Sequence, residues 1–470
     1  SFDFPNDYNR NYPLVIDPVL DFSTYSGSTT DNFGYTATYD NFGFLYSGST
    51  SFGAGYPTTL GAYQLNYANA IGGTDVAITK YDTSGTIRIY STYLGGTKDE
   101  LPHSMIVNSA DELFIFGTTG SSDFPTTNSS YQPNFNGGPG FSPSGIGVSF
   151  PDGSDIFVSR LNTNGGNLLA STFLGGSDND GLNTAAKLKF NYADEVRGEI
   201  DIDQNNNIYI ATCTRSTDFP IVGGFQNINK GGQEGCIVKM DNQLSSIIWS
   251  SYLGGNIDDA IYSLALDKDD NIYVTGGTTS ASFPTTPSAH QTLHQDTLKA
   301  DAFISLISAS GDQILYSSLY GSTAYDQSYF VEIGSTDAVY LFGQTKASAS
   351  TLVQNATYFE SGAGQFIAVF TKDLSSIIRA TVLGTGKGSP DISPTAFLVD
   401  VCDKIYLSGW GSNLGGPLST LNLPVSPAAF QTTTDGNDFY LMVVDDALTS
   451  MVYATYFGGS QSAEHVDGGT

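Results

Sequence analysis

The chain has 470 residues, 53 of them glycine, with 13% aromatic and only 14% charged side chains, a balance that favours short β-strands joined by tight turns over helices. Its formal charge of −29, with 18 Lys and Arg, would repel a phosphate backbone or an anionic membrane surface, so nucleic acid is a poor partner. A 40% hydrophobic fraction excludes wholesale disorder, and no run approaches the roughly 20 apolar residues that span a bilayer.

A chain this long exceeds a single small core, so it is either several domains or one repetitive architecture. Residues 1–20 read as a lead-in from an upstream domain. Ser1 is preceded by no initiator Met and followed by no apolar leader, so any targeting peptide is expected outside this sequence. From Ser23 onward a Ser-Thr-Tyr-Leu-Gly-Gly-like anchor recurs, at Ser23, Ser91, Ser171, Ser250, Ser317, Ala380 and Ala454.

Three elements follow most anchors in fixed order. An apolar strand ending in Asp comes first, as at Gly198 to Asp203 and Ser263 to Asp267. Next is an Ile-Tyr-Val-Thr-Gly type strand at Phe44 to Gly48, Leu113 to Gly117, Ile208 to Thr212, Ile272 to Gly276, Val339 to Gly343 and Ile405 to Gly409. A Phe-Pro-Thr-Thr loop closing on an aromatic-Gln pair follows at Tyr56 to Gln64, Phe124 to Gln132, Phe219 to Gln226, Phe283 to Gln291 and Leu423 to Gln431; the fifth repeat has lost it near Leu352. A last strand leads to the next anchor, at Asp75 to Tyr81, Asp155 to Leu161, Gly235 to Met240, Asp301 to Ile307, Phe366 to Thr371 and Asp438 to Val444.

Four strands per repeat is the count of a β-propeller blade. Ile208 to Ala211 are apolar on both faces, as a sheet packed between two others requires, and stacking must continue until a ring closes. The expected fold is therefore all-β: a propeller over residues 21–470 with four-stranded antiparallel blades whose units start near 23, 91, 171, 250, 317, 380 and 454. Seven blades are expected, six being the alternative. Ile272 and Tyr273 should each be buried, on opposite faces.

Ser91 to Gly96, Asp270 to Gly276 and Phe283 to Pro287 resemble the SBBP β-propeller repeat. Pro13 to Leu20 and Glu464 to Thr470 resemble the large Bacteroidota surface proteins of the gliding motility-associated C-terminal domain-containing family. That resemblance implies an extracellular or cell-surface location, export by type IX secretion machinery of the outer membrane, and surface glycans or other surface proteins as partners.

Each repeat places acidic residues after its Gly-Gly corner: Asp31, Asp99, Asp178 with Asp180, Asp258 with Asp259, Asp326, Asp391 and Glu464. A ring of them could hold a hard cation, but solvated turns are the simpler reading and no metal is assigned. Asp201 to Asn205 and Asp267 to Asn271 open like calcium loops yet lack the later Gly and Glu, so hairpin turns are expected. His290 and His294 have HxxxH spacing without the Glu of zincin chemistry, and His290 replaces an aromatic residue of other repeats, which points to packing. His103 and His465 lie in unrelated repeats, so no catalytic triad can be assembled. Cys213 and Cys236 could meet across two antiparallel strands as a disulfide or as two buried thiols. The expectation is therefore no catalytic, cofactor or metal residues and no enzyme: a secreted surface module for adhesion or gliding. The alternatives are a glycan-binding propeller or a polysaccharide-active enzyme, and Ser348 to Glu360 is the surface where a site would break the repeat.

Overall fold

The computed structural model describes residues 22–69, 73–143, 145, 147–362, 364–412, 416–460 and 463–466. The 1–20 lead-in lies outside them. The β-rich composition resolves into six four-stranded sheets, each antiparallel and each built from strands consecutive in the chain. The first blade holds β1 (Asn32–Tyr39), β2 (Leu45–Ser51), β3 (Asp75–Tyr81) and β4 (Arg88–Leu94), and the second β5 (Glu100–Val107), β6 (Leu113–Thr119), β7 (Asp155–Leu161) and β8 (Leu168–Leu174). The third comprises β9 (Glu199–Ile202), β10 (Ile208–Thr214), β11 (Glu234–Met240) and β12 (Ile247–Leu253), and the fourth β13 (Asp259–Leu266), β14 (Ile272–Thr278), β15 (Asp301–Ile307) and β16 (Ile314–Tyr320). The fifth runs through β17 (Asp326–Ile333), β18 (Val339–Thr345), β19 (Gly364–Phe370) and β20 (Ile377–Leu383), and the sixth through β21 (Ser393–Val399), β22 (Ile405–Trp410), β23 (Phe439–Val444) and β24 (Met451–Phe457).

The molecule is thus a six-bladed propeller, the smaller of the two sizes expected. The first strands of successive blades lie against one another from β1 round to β21, so they line the central channel. The Ser-Thr-Tyr-Leu-Gly-Gly anchors are accordingly the outermost strands, β4 to β24. Each anchor ends a blade rather than beginning one, and Ser23 belongs to no strand. The seventh anchor, at Ala454, completes the sixth blade.

Stacking buries both faces of a strand, and β14 shows how. Ile272 packs with Tyr209 and Ile237 of the third blade, whereas Tyr273 packs with Val339 and Leu341 of the fifth. Both are essentially inaccessible. The Asp-rich segments between first and second strands are hairpin turns. Asp203 Oδ1 accepts the Asn205 and Asn207 N–H groups and Asp267 Oδ1 those of Asp269 and Asn271. Asn206 and Asp270 take the left-handed conformation at φ 60° and 59°, which Asn and Asp tolerate best among side-chain-bearing residues.

Candidate functional site

Asp99, Asp180, Asp259, Asp326 and Asp391 are buried structural groups, not the solvated turns expected of them, whereas Asp178, Asp258 and Glu464 are half-buried and Asp31 is exposed. Asp180 accepts the Gly176 N–H at 2.8 Å and the hydroxyls of Thr214 and Ser216. Asp259 repeats this with the Gly255 N–H, Thr278 and Ser280. Glu100, rather than the expected Asp99, does so with the Gly96 N–H and Thr119. Asp326 takes Ser322 and Thr345, and Asp391 takes the Thr385 N–H. Gly254 must lack a side chain because its Cβ would stand 2.6 Å from Asp259 Oδ2.

A second acid from the start of the third strand meets most of these corners. The Gln of the aromatic-Gln pair joins the two parts: Gln132 donates to Asp155 at 3.2 Å and accepts the Gly175 N–H at 3.1 Å. Burial pushes Asp75, Asp155, Glu234 and Asp301 up to about 7. Glu100, Asp180, Asp259, Asp326 and Asp391 each have donors of their own, so these corner carboxyls do not converge on one ion. Among the described residues no group of three or more His, Cys, Asp or Glu has the geometry of a metal site. Of the adjoining acids, Asp99 accepts the Ser149 N–H, Asp178 that of Asn179 and Asp258 that of Gln233. The Asp31 carbonyl receives the Phe52 N–H, and the Glu464 N–H donates to the Asn437 carbonyl.

The histidines stay apart. His290 packs edge-on against Phe370, His294 Nε2 lies 3.0 Å from the Thr278 carbonyl, and His103 is buried against Thr118 and Phe116. His465 packs against Trp410 and Phe33. Cys213 is paired in register with Gly235 and Thr212 with Cys236, so the two thiols project from opposite faces into different apolar clusters and are both free. In the fifth blade a single helical turn, Ala349–Leu352, replaces the lost loop and buries Leu352. The Ser348 to Glu360 surface is therefore a repacked loop.

Sequence reading missed the feature that departs most from the repeat: an insertion before β9, residues 183–198, that crosses the start of the channel. It holds two short 3-10 turns, Ala186–Leu188 and Tyr192–Glu195, the second of them held by an Asn191 and Asp194 capping box. Asp194 pairs with Arg197 at 3.1 Å and lies 2.9 Å from the Tyr329 hydroxyl. Arg197 stands over the Tyr329 ring at 4.5 Å and donates to the Pro394 carbonyl at 2.9 Å. Tyr262 and Gln327 donate to the Leu188 carbonyl at 2.5 and 3.0 Å. These contacts reach the inner strands of the fourth, fifth and sixth blades, so the insertion caps that end. Burial, with Asp194 nearby, holds the hydroxyls of Tyr262, Tyr325 and Tyr329 well above their ordinary range, and they act as neutral hydrogen-bonding groups.

The other end of the channel is an open cavity of about 370 Å³ lined by the closing residues of β1, β5, β9, β13 and β17. Three carboxyls enter it: Glu199, Asp201 and Glu332. Burial is the main cause that raises them, to about 7, 6 and 8 respectively; repulsion from Asp201 adds to it at Glu199, from Asp203 at Asp201, and from Glu199 and Asp201 at Glu332. Glu199 also accepts the Leu264 N–H at 2.8 Å. Carboxyls that hold a proton near neutrality can each donate as well as accept, which is how general acids are made. Asp201, read from sequence as part of a turn, is thus a channel residue, while Asp203 makes the turn. Among the described residues no helix is long and apolar enough to cross a membrane.

Residues 248–284 match the SBBP β-propeller repeat. That SBBP segment spans the outer strand of the third blade, its Gly-Gly corner and the first two strands of the fourth. No curated protein matches the chain. Solved structures similar to it include a protein of unknown function from Dyadobacter fermentans, at 11% identity over 83% of this chain and 93% of that one with a TM-score of 0.41. A polysaccharide lyase described as an ulvan lyase shares 10% identity over 92% and 85%, TM-score 0.42. The NanB sialidase of Streptococcus pneumoniae shares 11% over 95% and 64%, TM-score 0.32. Two of these neighbours are enzymes, so the expectation that the chain is not one is not upheld. At such identities and scores the likenesses show the fold and assign the chain no activity.

Proposed function

We propose that this propeller is a carbohydrate-directed module whose site is the acid-lined channel mouth. The observation that carries the reading is the meeting of Glu199, Asp201 and Glu332 in one open cavity of about 370 Å³, blind at its far end because the insertion caps it. Protonated and ionised carboxyls side by side offer both donors and acceptors to sugar hydroxyls. A cavity of this sign, in a chain of charge −29, favours neutral or amino sugars over uronates and sulfated sugars. A raised carboxyl beside an ionised one also supplies the acid and base that glycosidic bond cleavage needs, so turnover is part of this reading.

The resemblance of the repeats and of both flanks to exported surface proteins supports placing the module at the cell surface, delivered by type IX secretion. The test is binding and product release with neutral, amino, uronate and sulfated oligosaccharides, for the wild type and for Glu332→Ala, which removes both the donor and the acceptor. Preference for neutral or amino sugars, lost in the variant, supports the proposal. Binding of none, or binding untouched by the variant, overturns it.

A further inference from the structure

The six blades are not equivalently covered. On the fifth blade the side chains facing the sixth, among them Phe330, Phe342 and Ile367, are 5%, 0% and 0% exposed, sealed by Phe397, Leu407 and Met442 of the sixth. Matching the strand registers carries Ile367 onto Leu441 and Glu332 onto Leu398. Yet Leu441 is 40% and Leu398 47% exposed, and Phe430 beside them 59%. Together with Tyr406, Phe439 and Tyr453 they line a cavity of about 550 Å³ that is almost wholly apolar. Among the described residues β21 and β1 lack the close packing that joins the other neighbouring first strands. The gap between sixth and first blades is bridged instead by Tyr35, Tyr192 and Trp410.

The chain itself enters this gap. Glu464 N–H donates to the Asn437 carbonyl at 2.9 Å, as Glu100 does to Thr74, Asp259 to Gln233 and Asp326 to Ala300. Each of those three residues opens the first strand of the next blade. Beyond it, His465 lies between Phe33 of the first blade and Trp410 of the sixth, and the Val466 carbonyl accepts the Trp410 indole N–H at 2.9 Å.

We propose that the outward face of the sixth blade is a blade–blade interface whose partner is a seventh four-stranded sheet of the same repeat, entered by the chain at Glu464. The sheet would cover Leu398, Phe430 and Leu441 as the sixth blade covers Phe330, Phe342 and Ile367, continuing an interface the molecule already builds between each successive pair of blades. Isolated apolar residues at a surface need no explanation, but a contiguous face repeating a buried one does.

The test places a reporter on the face. In a Cys402→Ser background, Leu441→Cys is labelled with a maleimide, first in the 470-residue chain and then in the same chain with residues 259–320 joined directly after 463, so that Asp259 takes the position of Glu464. The expected result is rapid labelling in the monomeric first protein and labelling slowed by about tenfold or more in the second, as a site sealed between blades reacts only through opening. Unchanged labelling in a folded second protein overturns the proposal. So does slow labelling in the first, whether a dimer mass shows a second copy on the face or a monomer mass shows the chain covering it. Should the joined blade not fold, Leu441→Arg and Ile367→Arg are compared by melting: the proposal requires the first to be tolerated and the second to unfold, and equal damage overturns it.

Discussion

The two ends of the channel hold acidic groups under opposite conditions. At the capped end Asp194 is buried but meets Arg197, the Phe190 and Asn191 N–H groups and the Tyr329 hydroxyl. At the open end Glu199, Asp201 and Glu332 face one another, and no cation is among the residues lining their cavity. A compensated charge fixes a structure, whereas uncompensated like charges remain titratable. The cap therefore belongs to stability and the mouth to chemistry, and that division can be broken experimentally.

The largest effect should come from the cap. Asp194→Ala strands Arg197 in the interior, and loss of one partner of a buried pair costs about 3–5 kcal/mol. Urea unfolding should show this. A change below 1 kcal/mol would mean that the cap frays in solution. Next are the corners, which belong to neither end: Gln226→Leu removes an amide that donates to Glu234 and accepts the Gly254 N–H. An unsatisfied buried group costs about 1–3 kcal/mol, so intermediate destabilisation with unchanged sugar binding is expected.

How much of this could be read in the sequence follows from what repeats. The blades were legible because most corners reuse the same glycines, the same Gln and the same acid at a strand end, and the four-strand period followed directly. The phase did not, because apolar strands look alike whether they line the channel or the rim, and only the packing of β1 to β21 decides. Burial of the corner acids was signalled by the Thr and Ser two residues apart at Thr119 and Ser121, Thr214 and Ser216, and Thr278 and Ser280, each pair positioned to satisfy a carboxyl. The cap was invisible as a single-copy insertion. Glu332 was hidden for another reason: it occupies a strand position that holds Asp201 in one blade and Leu398 in another, so no pattern marks it.

A smaller effect separates the mouth from the corners by pH. Asp75, Asp155, Glu234 and Asp301 at about 7, with Glu199 at about 7 and Glu332 at about 8, all lie above their unfolded values. The folded state therefore binds more protons than the unfolded one between about pH 4 and 8. The stability these groups contribute is fully present below about pH 4 and is lost as pH rises through 6 to 8. Thermal melting should rise on moving from pH 8 to pH 5. Glu199→Gln with Glu332→Gln should remove the mouth's share and leave the corners' share. An unchanged pH profile in the double variant would place the titration elsewhere.

The most direct measurement is the pH dependence of oligosaccharide binding at the mouth, followed by saturation-transfer NMR with a neutral and an amino-sugar oligosaccharide from pH 5 to pH 9. Binding of the neutral sugar should weaken as Glu332 loses its proton near pH 8, and Glu332→Gln should abolish that pH dependence while Asp194 remains intact. Saturation transfer that is absent at every pH, or that is equal in the wild type and Glu332→Gln throughout, would contradict the assignment of the channel mouth as the carbohydrate site.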